Sequence, residues 1–219
     1  MCGIVGITSS KEVTSRIIGS LKKLEYRGYD SAGIATISEN NINEVKCEGR
    51  VNELEKNVNQ INLSGTIGIG HVRWATHGKP SAINAHPHSS DNVSVVHNGI
   101  IENSTILKKI LENKGYKFKS QTDTEVIVHL VSDYLKKNNL KNKIIKVLKH
   151  LHGSFALGII FKNRPDLIVG ARRGSPLAVG YGPDEHYLGS DSYALKSMTN
   201  KISYLNDGEF CILKKDQAE

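Results

Sequence analysis

The sequence is poor in cysteine and has no long apolar segment. Its 219 residues include only three cysteines, Cys2, Cys47 and Cys211, which are too far apart for a disulfide framework or a four-thiolate metal site. No apolar run approaches the roughly 20 residues that a membrane-spanning helix needs. The N-terminal sequence MCGIVGITSSKEV has no basic segment, extended apolar core or signal-cleavage site. We therefore expect a cytoplasmic protein that does not contact membranes.

Positive charge is in excess, with 29 lysines and arginines against 22 acidic residues. Such an excess can indicate a nucleic-acid partner. However, Lys143, Lys146 and Lys149 recur at helical spacing with apolar residues between them, which predicts the solvated face of an amphipathic helix. Aromatic residues are not interleaved with the basic ones, as a groove for single strands would require. We expect no nucleic-acid partner.

The order of predicted elements favours an α+β fold over residues 2–219, which we expect to form a single domain. Apolar residues at helical spacing predict a helix after a short N-terminal strand; they are Ile17, Ile18, Leu21 and Leu24. Helices also occupy the middle of the chain, and strands dominate from Phe155 onward. Residues 73–91 show no period and predict a long loop. We expect a four-layer α/β/β/α sandwich of two antiparallel sheets.

Cys2 is a candidate nucleophile. A residue this small at position 2 normally allows removal of the initiator methionine, which would leave a free α-amine on Cys2. That amine has a reference pKa of about 7.7–8.0 and the thiol one of about 8.5, so the amine can accept the thiol proton. The alternative is a small buried hydrophobe at the start of a strand. For Cys2 taken alone the buried hydrophobe is favoured, because many chains begin Met-Cys by chance.

Five segments, the first of which contains Cys2, follow one another along the chain. They are MCGIVGI at the start, EYRGYDSAGIA (25–35), GHVRWATHG (70–78), AHPH (85–88) and VVHNGIIEN (95–103). Together they resemble the glutaminase domain of the glutamine–fructose-6-phosphate aminotransferases. These are class II glutamine amidotransferases with the N-terminal nucleophile hydrolase fold.

The resemblance continues through ARRGSPLAVG (171–180) and GSDSYAL (189–195) and so covers essentially the whole chain. A sister family, the amidophosphoribosyltransferases, typically has His-Arg-Gly-Gln-Asp and Arg-Tyr-Ser-Thr at two of these places. This sequence has YRGYD (26–30) and RWAT (73–76) instead, which favours the aminosugar family. The resemblance implies hydrolysis of L-glutamine to L-glutamate and ammonia through a thioester on Cys2.

Asn98-Gly99 has two interpretations. Asn-Gly is the preferred pair of a tight hairpin turn. Alternatively, the Asn98 side-chain amide and the Gly99 backbone N–H donate to the oxyanion that forms when the thiolate attacks an amide. The resemblance implies the second role, and it also implies that Arg27 lies close to the nucleophile. The expected catalytic residues are therefore Cys2, Arg27, Asn98 and Gly99.

Arg73 and Asp123 are candidates for binding the head group of glutamine. A guanidinium grips a carboxylate through two hydrogen bonds, although a solvated surface arginine is the commoner case. Asp123 fits the first turn of a helix with a capping box formed by Thr122 and Glu125. The resemblance implies instead that Asp123 pairs with the α-ammonium group.

The single tryptophan, Trp74, is either a packed core ring or part of a loop that closes over the substrate. The resemblance implies the loop, with Thr76 and His77 also lining the glutamine pocket. We therefore expect the substrate-binding residues to be Arg73, Trp74, Thr76, His77 and Asp123.

Neither a metal nor an organic cofactor is expected. The five histidines at positions 71, 77, 86, 88 and 97 lack a His-Glu-x-x-His arrangement or a Cys-x-x-Cys partner, so isolated, hydrogen-bonded histidines are the favoured interpretation. The resemblance implies that ammonia passes to sugar isomerase domains that bind fructose 6-phosphate. We expect those domains to be absent and the chain to be an excised or truncated piece. The alternatives are the glutaminase domain of another class II amidotransferase and a catalytically inactive, basic interaction domain.

Overall fold

The computed structural model describes residues 2–75, 78–135 and 139–219, which contain six α-helices. A short 3-10 turn at Glu25–Arg27 precedes the second strand. The helices are α1 (Thr14–Leu24), α2 (Val51–Ile61), α3 (Ser104–Asn113), α4 (Glu125–Tyr134), α5 (Leu140–His150) and α6 (Ser192–Leu195). None of the helices in these ranges is both long and apolar enough to cross a bilayer.

The strands of the described ranges pair antiparallel throughout. They are β1 (Gly3–Ser9), β2 (Ser31–Ser38), β3 (Asn41–Glu48), β4 (Ile67–Arg73), β5 (His88–Ser89), β6 (Val93–Ile101), β7 (Gly153–Phe161), β8 (Arg164–Arg173), β9 (Ala178–Gly182), β10 (Glu185–Gly189), β11 (Lys201–Tyr204) and β12 (Phe210–Lys214). The first sheet has the order β11-β9-β10-β1-β4-β2-β3, and the second has the order β12-β8-β7-β6-β5.

Three apolar clusters define the layers. One lies between the sheets and includes Ile4 and Ile69 of the first sheet with Val96 and Ile160 of the second. Another joins the outer face of the first sheet to α1, α2 and α6. The last joins the outer face of the second sheet to α3, α4 and α5. This arrangement confirms the predicted α+β fold with four layers in the order α/β/β/α.

The helices carry their predicted apolar stripes. The α1 stripe is buried throughout, at Ile17, Ile18, Leu21 and Leu24. In α5 the buried residues are Ile144 and Val147, and Lys146 and Lys149 are exposed, as expected for a solvated lysine face. The predicted loop is shorter than 73–91, because β4 continues through Arg73 and β5 begins at His88.

The alternation of side chains along three strands brings residues together at one end of the gap between the sheets. On β1, Ile4 faces that gap and Val5 faces the helices, so Cys2 falls on the gap side by period two. The register of β1 with β4 pairs Gly3 with Val72 and so places Arg73 opposite Cys2. On β6, Val96 faces the gap, and Asn98 shares its face. The fold therefore gathers these side chains at one end of the gap.

Leu188 on β10 fills a recess that glycines of the second sheet leave open. A Cβ on Gly158 would lie 3.3 Å from Leu188 Cδ2, and one on Gly170 would lie 2.6 Å from Leu188 Cδ1. Close contact between the two sheets at this point therefore depends on the missing side chains, and Leu188 is fully buried there.

Leu188→Ala is expected to lower the free energy of unfolding by about 3 kcal/mol, because it leaves a cavity. Gly170→Ala alone should cost about 1–2 kcal/mol by overpacking. In the double variant the new methyl group occupies the vacated space. The double variant should therefore lose clearly less free energy of unfolding than the two single variants lose in sum. Urea unfolding measures all three. Gly19→Ala at an exposed position of α1, where an added Cβ meets nothing within 4 Å, serves as the control and should be neutral or stabilising. Additive losses would contradict the packing assigned to Leu188.

Candidate active site

The Cys2 thiol contacts the main chain of the segment that follows β4. The backbone N–H of Trp74 donates to Cys2 Sγ at 3.3 Å, and the thiol donates to the Trp74 carbonyl at 3.5 Å. Cys2 itself is half-buried. The sulfur is therefore fixed by backbone groups, and its contact with Trp74 does not involve the indole ring.

The pKa of the Cys2 thiol is raised above its ordinary value, mainly by burial. The Trp74 hydrogen bond and the positive charge of Arg73 lower this pKa, and the charge of Asp30 raises it. The net result is a thiol that stays protonated near neutral pH. Because the thiolate is the nucleophilic form, attack from Cys2 needs a base to remove this proton.

The Asn98 side chain is oriented by two partners. Its Nδ2 donates to the Cys2 carbonyl at 3.1 Å, and its Oδ1 lies 3.0 Å from Nε2 of His71. The residue is 8% exposed and belongs to β6, which extends to Ile101. The hairpin-turn interpretation of Asn98-Gly99 is therefore wrong, because both residues lie within a strand.

Gly99 has a backbone conformation that only glycine adopts readily. Its φ is +128°, and a Cβ would lie 2.1 Å from the carbonyl oxygen of Ser154 on β7. Gly99 still pairs with Phe155 in the β6–β7 ladder. The site thus requires glycine at this position for both conformation and space.

Asp30 and Gly28 support the segment that touches the thiol, and neither was a sequence-predicted site residue. The Asp30 carboxylate accepts hydrogen bonds from the Ala75 backbone and from the Ser31 hydroxyl, and the Asp30 N–H donates to the Arg73 carbonyl at 3.1 Å. A Cβ on Gly28 would lie 2.8 Å from the Trp74 nitrogen. Both residues belong to YRGYD (26–30), which is part of a segment that carries the family resemblance. Membership in that segment was the signal in the sequence that could have found them.

Arg73 and Trp74 are neighbours at the site but differ in how far they are buried. Arg73 ends β4 and is 4% exposed, so it is not the solvated surface arginine that composition favours. Trp74 is 50% exposed and meets Tyr29 edge-on, with ring centroids 5.7 Å apart. The core-ring interpretation of Trp74 is therefore wrong. The predicted pocket residues Thr76 and His77 lie outside the described residues.

Asp123 is tied to the same strand as Asn98. Its Oδ2 accepts the backbone N–H of Ile101 at 2.7 Å. The expected capping box is wrong, because α4 begins at Glu125 with Thr124 as its N-cap and no side-chain cap bond. Asp123 instead lies in the turn before α4, where it is partly exposed.

Arg27 ends the 3-10 turn and reaches the end of β10. Its Nη1 lies 3.1 Å from Asp191 Oδ2 and donates to the Ser190 carbonyl at 3.5 Å. Ser190 in turn accepts the Ile4 N–H on its hydroxyl oxygen at 2.9 Å. Arg27 is thereby connected to β1 two residues from Cys2, which is compatible with its expected place near the nucleophile.

The four described histidines of the predicted set lie together and are bound to protein groups. His88 Nε2 lies 2.9 Å from the Thr122 hydroxyl, and His86 Nε2 and His97 Nδ1 both contact the Thr124 hydroxyl. Burial lowers the pKa of His71 and of His88 to about 3, and that of His86 well below its usual value. Among the described residues no group of three His, Cys, Asp or Glu is arranged to hold a metal ion.

Sequence comparison assigns the chain to a family. Residues 71–197 match the family model described as a glutamine amidotransferase domain, and this is more than half of the chain. The chain belongs to the glutamine amidotransferase family.

Curated relatives of this amidotransferase domain are much longer than the chain. A protein from Bradyrhizobium diazoefficiens and one from Mesorhizobium japonicum are 51% and 54% identical to it, and both are called glutamine–fructose-6-phosphate aminotransferase [isomerizing]. The alignments cover 100% of this chain and 36% of each relative.

Solved structures share the fold of the amidotransferase domain. The glutamine phosphoribosylpyrophosphate amidotransferase of B. subtilis, solved with ADP and GMP, superposes with a TM-score of 0.84 at 29% identity; the match covers 100% of this chain and 48% of that one. A glutamine aminotransferase class-II domain protein from Silicibacter pomeroyi gives a TM-score of 0.69 at 12% identity, covering 100% of this chain and 97% of that one, and supports the fold alone.

Glu125 organises the turn that carries Asp123. Its carboxylate accepts the Lys119 N–H at 2.8 Å, and the Ser120 N–H and hydroxyl at 2.7 Å each. Burial would raise the pKa of Glu125, but His129, whose Nε2 lies 3.6 Å from Oε1, and the hydrogen bonds from Ser120 and the backbone outweigh burial and lower the pKa to about 2. Its ionised form therefore stabilises the folded state above its unfolded pKa of about 4.3, and this contribution is lost as the pH falls toward 2.

Glu125→Gln is expected to lower the free energy of unfolding by about 2 kcal/mol at pH 7, because charged hydrogen bonds are lost. The deficit relative to wild type should shrink between about pH 4.3 and pH 2, where the wild-type carboxylate becomes protonated. Urea unfolding across this range measures it, with Glu48→Gln at the exposed end of β3 as the control. A deficit that is constant with pH would rule out the charge as its origin.

Proposed function

We propose that this domain hydrolyses L-glutamine to L-glutamate and ammonia, with Cys2 as the nucleophile. The observation that carries the proposal is the convergence of the Cys2 thiol, the Asn98 amide and the Arg73 side chain at one end of the gap between the sheets. Asp123 is joined to the same strand as Asn98 through Ile101. Family membership supports glutamine as the substrate.

The first step makes the thioester. The free α-amine of processed Cys2 takes the thiol proton, and the sulfur forms a bond to the side-chain carbonyl carbon of glutamine. The negative charge that develops on the carbonyl oxygen is stabilised by the Asn98 Nδ2–H and the Gly99 N–H. The Cys2 ammonium then returns its proton to the departing nitrogen as the C–N bond breaks, and ammonia leaves.

The second step releases glutamate. The Cys2 amine takes a proton from a water molecule, whose oxygen bonds to the thioester carbon. The C–S bond breaks, the sulfur recovers the proton, and glutamate carries the new oxygen. The raised pKa of the Cys2 thiol supports this scheme, because a protonated sulfur requires the base that the amine supplies.

Arg73 and Asp123 suit the two charges of the amino-acid head group. A buried guanidinium binds the α-carboxylate through two hydrogen bonds. The Ile101 N–H engages Asp123 Oδ2, and Asp123 Oδ1 can accept from the α-ammonium. We propose that Trp74, Thr76 and His77 line the rest of the pocket and that Arg27 supports the geometry of the nucleophile. Free glutamine is thereby selected over glutamine within a peptide.

We propose further that residues 2–219 are a single glutaminase domain of a larger enzyme. The chain spans about 36% of the length of its curated relatives, and in such an enzyme the ammonia passes to sugar isomerase domains that accept fructose 6-phosphate. The amidophosphoribosyltransferase alternative has less support, because that neighbour is 29% identical and the aminotransferases are 51% and 54% identical. The cytoplasmic compartment stays a prediction.

Ammonia release from glutamine tests the proposed function. The processed wild type should release ammonia, and Cys2→Ala should lose the activity to the background rate, because no sulfur remains to form the thioester. Mass spectrometry of the purified chain verifies removal of the Met1 mass, and a chain that retains Met1 should be inactive because its Cys2 amine is acylated. Processed wild type that releases no ammonia would indicate an inactive interaction domain, and activity retained in Cys2→Ala would exclude Cys2 as nucleophile.

Asp123→Asn tests recognition of the head group. Asparagine keeps an acceptor for the Ile101 N–H but loses the charge, so KM for glutamine should rise about 10- to 100-fold, with a smaller change in kcat. Glutamine with an acetylated α-amine should be a poor substrate for wild type. The ratio of kcat/KM for glutamine to kcat/KM for acetylated glutamine should be smaller in Asp123→Asn than in wild type. Asp133→Asn at the far end of α4 is the control. An unchanged KM in Asp123→Asn would exclude the proposed ion pair.

A further inference from the structure

We infer that His71 is a positioning residue that orients the Asn98 carboxamide, so that one Nδ2–H points to the developing oxyanion. This inference rests on the proposed glutaminase function. His71 is not among the predicted site residues and does not contact the sulfur in the hydrogen bonds described above. It lies on β4 of the first sheet and reaches Asn98 on β6 of the second.

The partners of His71 fix its tautomer. Its Nε2 lies 3.1 Å from the His97 carbonyl oxygen and 3.0 Å from Asn98 Oδ1. A backbone carbonyl only accepts hydrogen bonds, so Nε2 carries the proton and donates to both oxygens. Within the described part of the chain, Nδ1 of His71 has no hydrogen-bond partner. Among the described residues, the hydrogen bonds of the His71 side chain therefore all pass through Nε2.

This donor decides which way the Asn98 amide faces. Its oxygen must point toward the Nε2–H of His71, and its NH₂ group must point toward the Cys2 carbonyl, which is also only an acceptor. One N–H of Asn98 is used by Cys2, and the other is left to face the substrate oxygen. Without His71, the bond to the Cys2 carbonyl is the one hydrogen bond among the described residues that still restrains rotation of the carboxamide.

The ring of His71 is itself held in place. It is fully buried, and its centroid lies 4.3 Å from that of His86. His86 is anchored by the His97 N–H and the Thr124 hydroxyl. Burial lowers the pKa of His71 to about 3 and so keeps the ring neutral. The ring is therefore neutral near neutral pH, and its single proton is the one on Nε2 that both oxygens require.

Three substitutions at His71 separate orientation from packing. The amide nitrogen of glutamine falls near the place of Nε2, and that of asparagine near the place of Nδ1. His71→Gln should therefore retain kcat within a few-fold, and His71→Asn and His71→Leu should each lose about 10- to 100-fold. This loss stays below the roughly 10²–10³-fold expected for removing an oxyanion donor outright. KM for glutamine should change little, because the head group binds elsewhere.

A double-mutant cycle with Asn98→Ala identifies the route of the effect. If His71 acts through Asn98, His71→Leu should add almost no loss of kcat in the Asn98→Ala background. His186→Leu is the control, since His186 is a buried histidine that contacts the Lys214 carbonyl and pairs with Thr8 at the opposite end of β1. It should change thermal stability but leave kcat unaltered.

The side-chain amide signals of Asn98 give a readout that does not depend on activity. In a ¹H–¹⁵N spectrum, assigned by comparison with Asn98→Asp, the two Nδ2 protons should be well separated in wild type and His71→Gln and should converge in His71→Leu. Unchanged kcat in a folded His71→Leu, additive losses in the cycle, or unchanged amide signals would each overturn the inference. Inactive wild type with the expected amide signals would refute the proposed function and leave the orienting role of His71 supported.

Discussion

The hydrogen bond between Asn98 Nδ2 and the Cys2 carbonyl is the contact on which the site depends, because it joins the two sheets at Cys2, the proposed nucleophile. Cys2 directly precedes β1 of the first sheet, and Asn98, 96 residues later in the sequence, lies on β6 of the second. Packing of Ile4, Ile69 and Val96 in the gap fixes the separation of the sheets. A small shift between the sheets would therefore change the distance between the sulfur and the proposed oxyanion donors.

Backbone groups carry much of the local order around the sulfur. The Trp74 N–H contacts Sγ, and Asp30 fixes the neighbouring peptides through Ala75 and Arg73. Gly28 leaves room for this segment, since any side chain there would press on the Trp74 nitrogen. Such an arrangement tolerates changes of exposed side chains at the rim far better than it tolerates changes of these supporting residues.

Sequence reasoning was most successful where periodicity reports burial directly. The α1 stripe and the lysine face of α5 follow from side-chain spacing, and strand-rich ends around a helical middle gave the layers. Local rules failed at Asn98-Gly99 and at Thr122, because pairing of β6 with β7 overrides the turn preference of Asn-Gly, and Glu125 binds the preceding loop instead of capping α4. The sequence did not indicate the role of His71, because that role depends on Asn98, which lies on a strand of the other sheet.

The raised pKa of the buried Cys2 thiol has a consequence for the newly made chain. Peroxides and alkylating agents attack thiolates much faster than thiols. Under the proposed mechanism, the Cys2 nitrogen belongs to a peptide bond while Met1 is attached and cannot accept the thiol proton, so the sulfur remains a poorly reactive thiol. In the proposed mechanism, removal of Met1 frees this nitrogen as an amine, so one cleavage both supplies the base and makes the sulfur reactive.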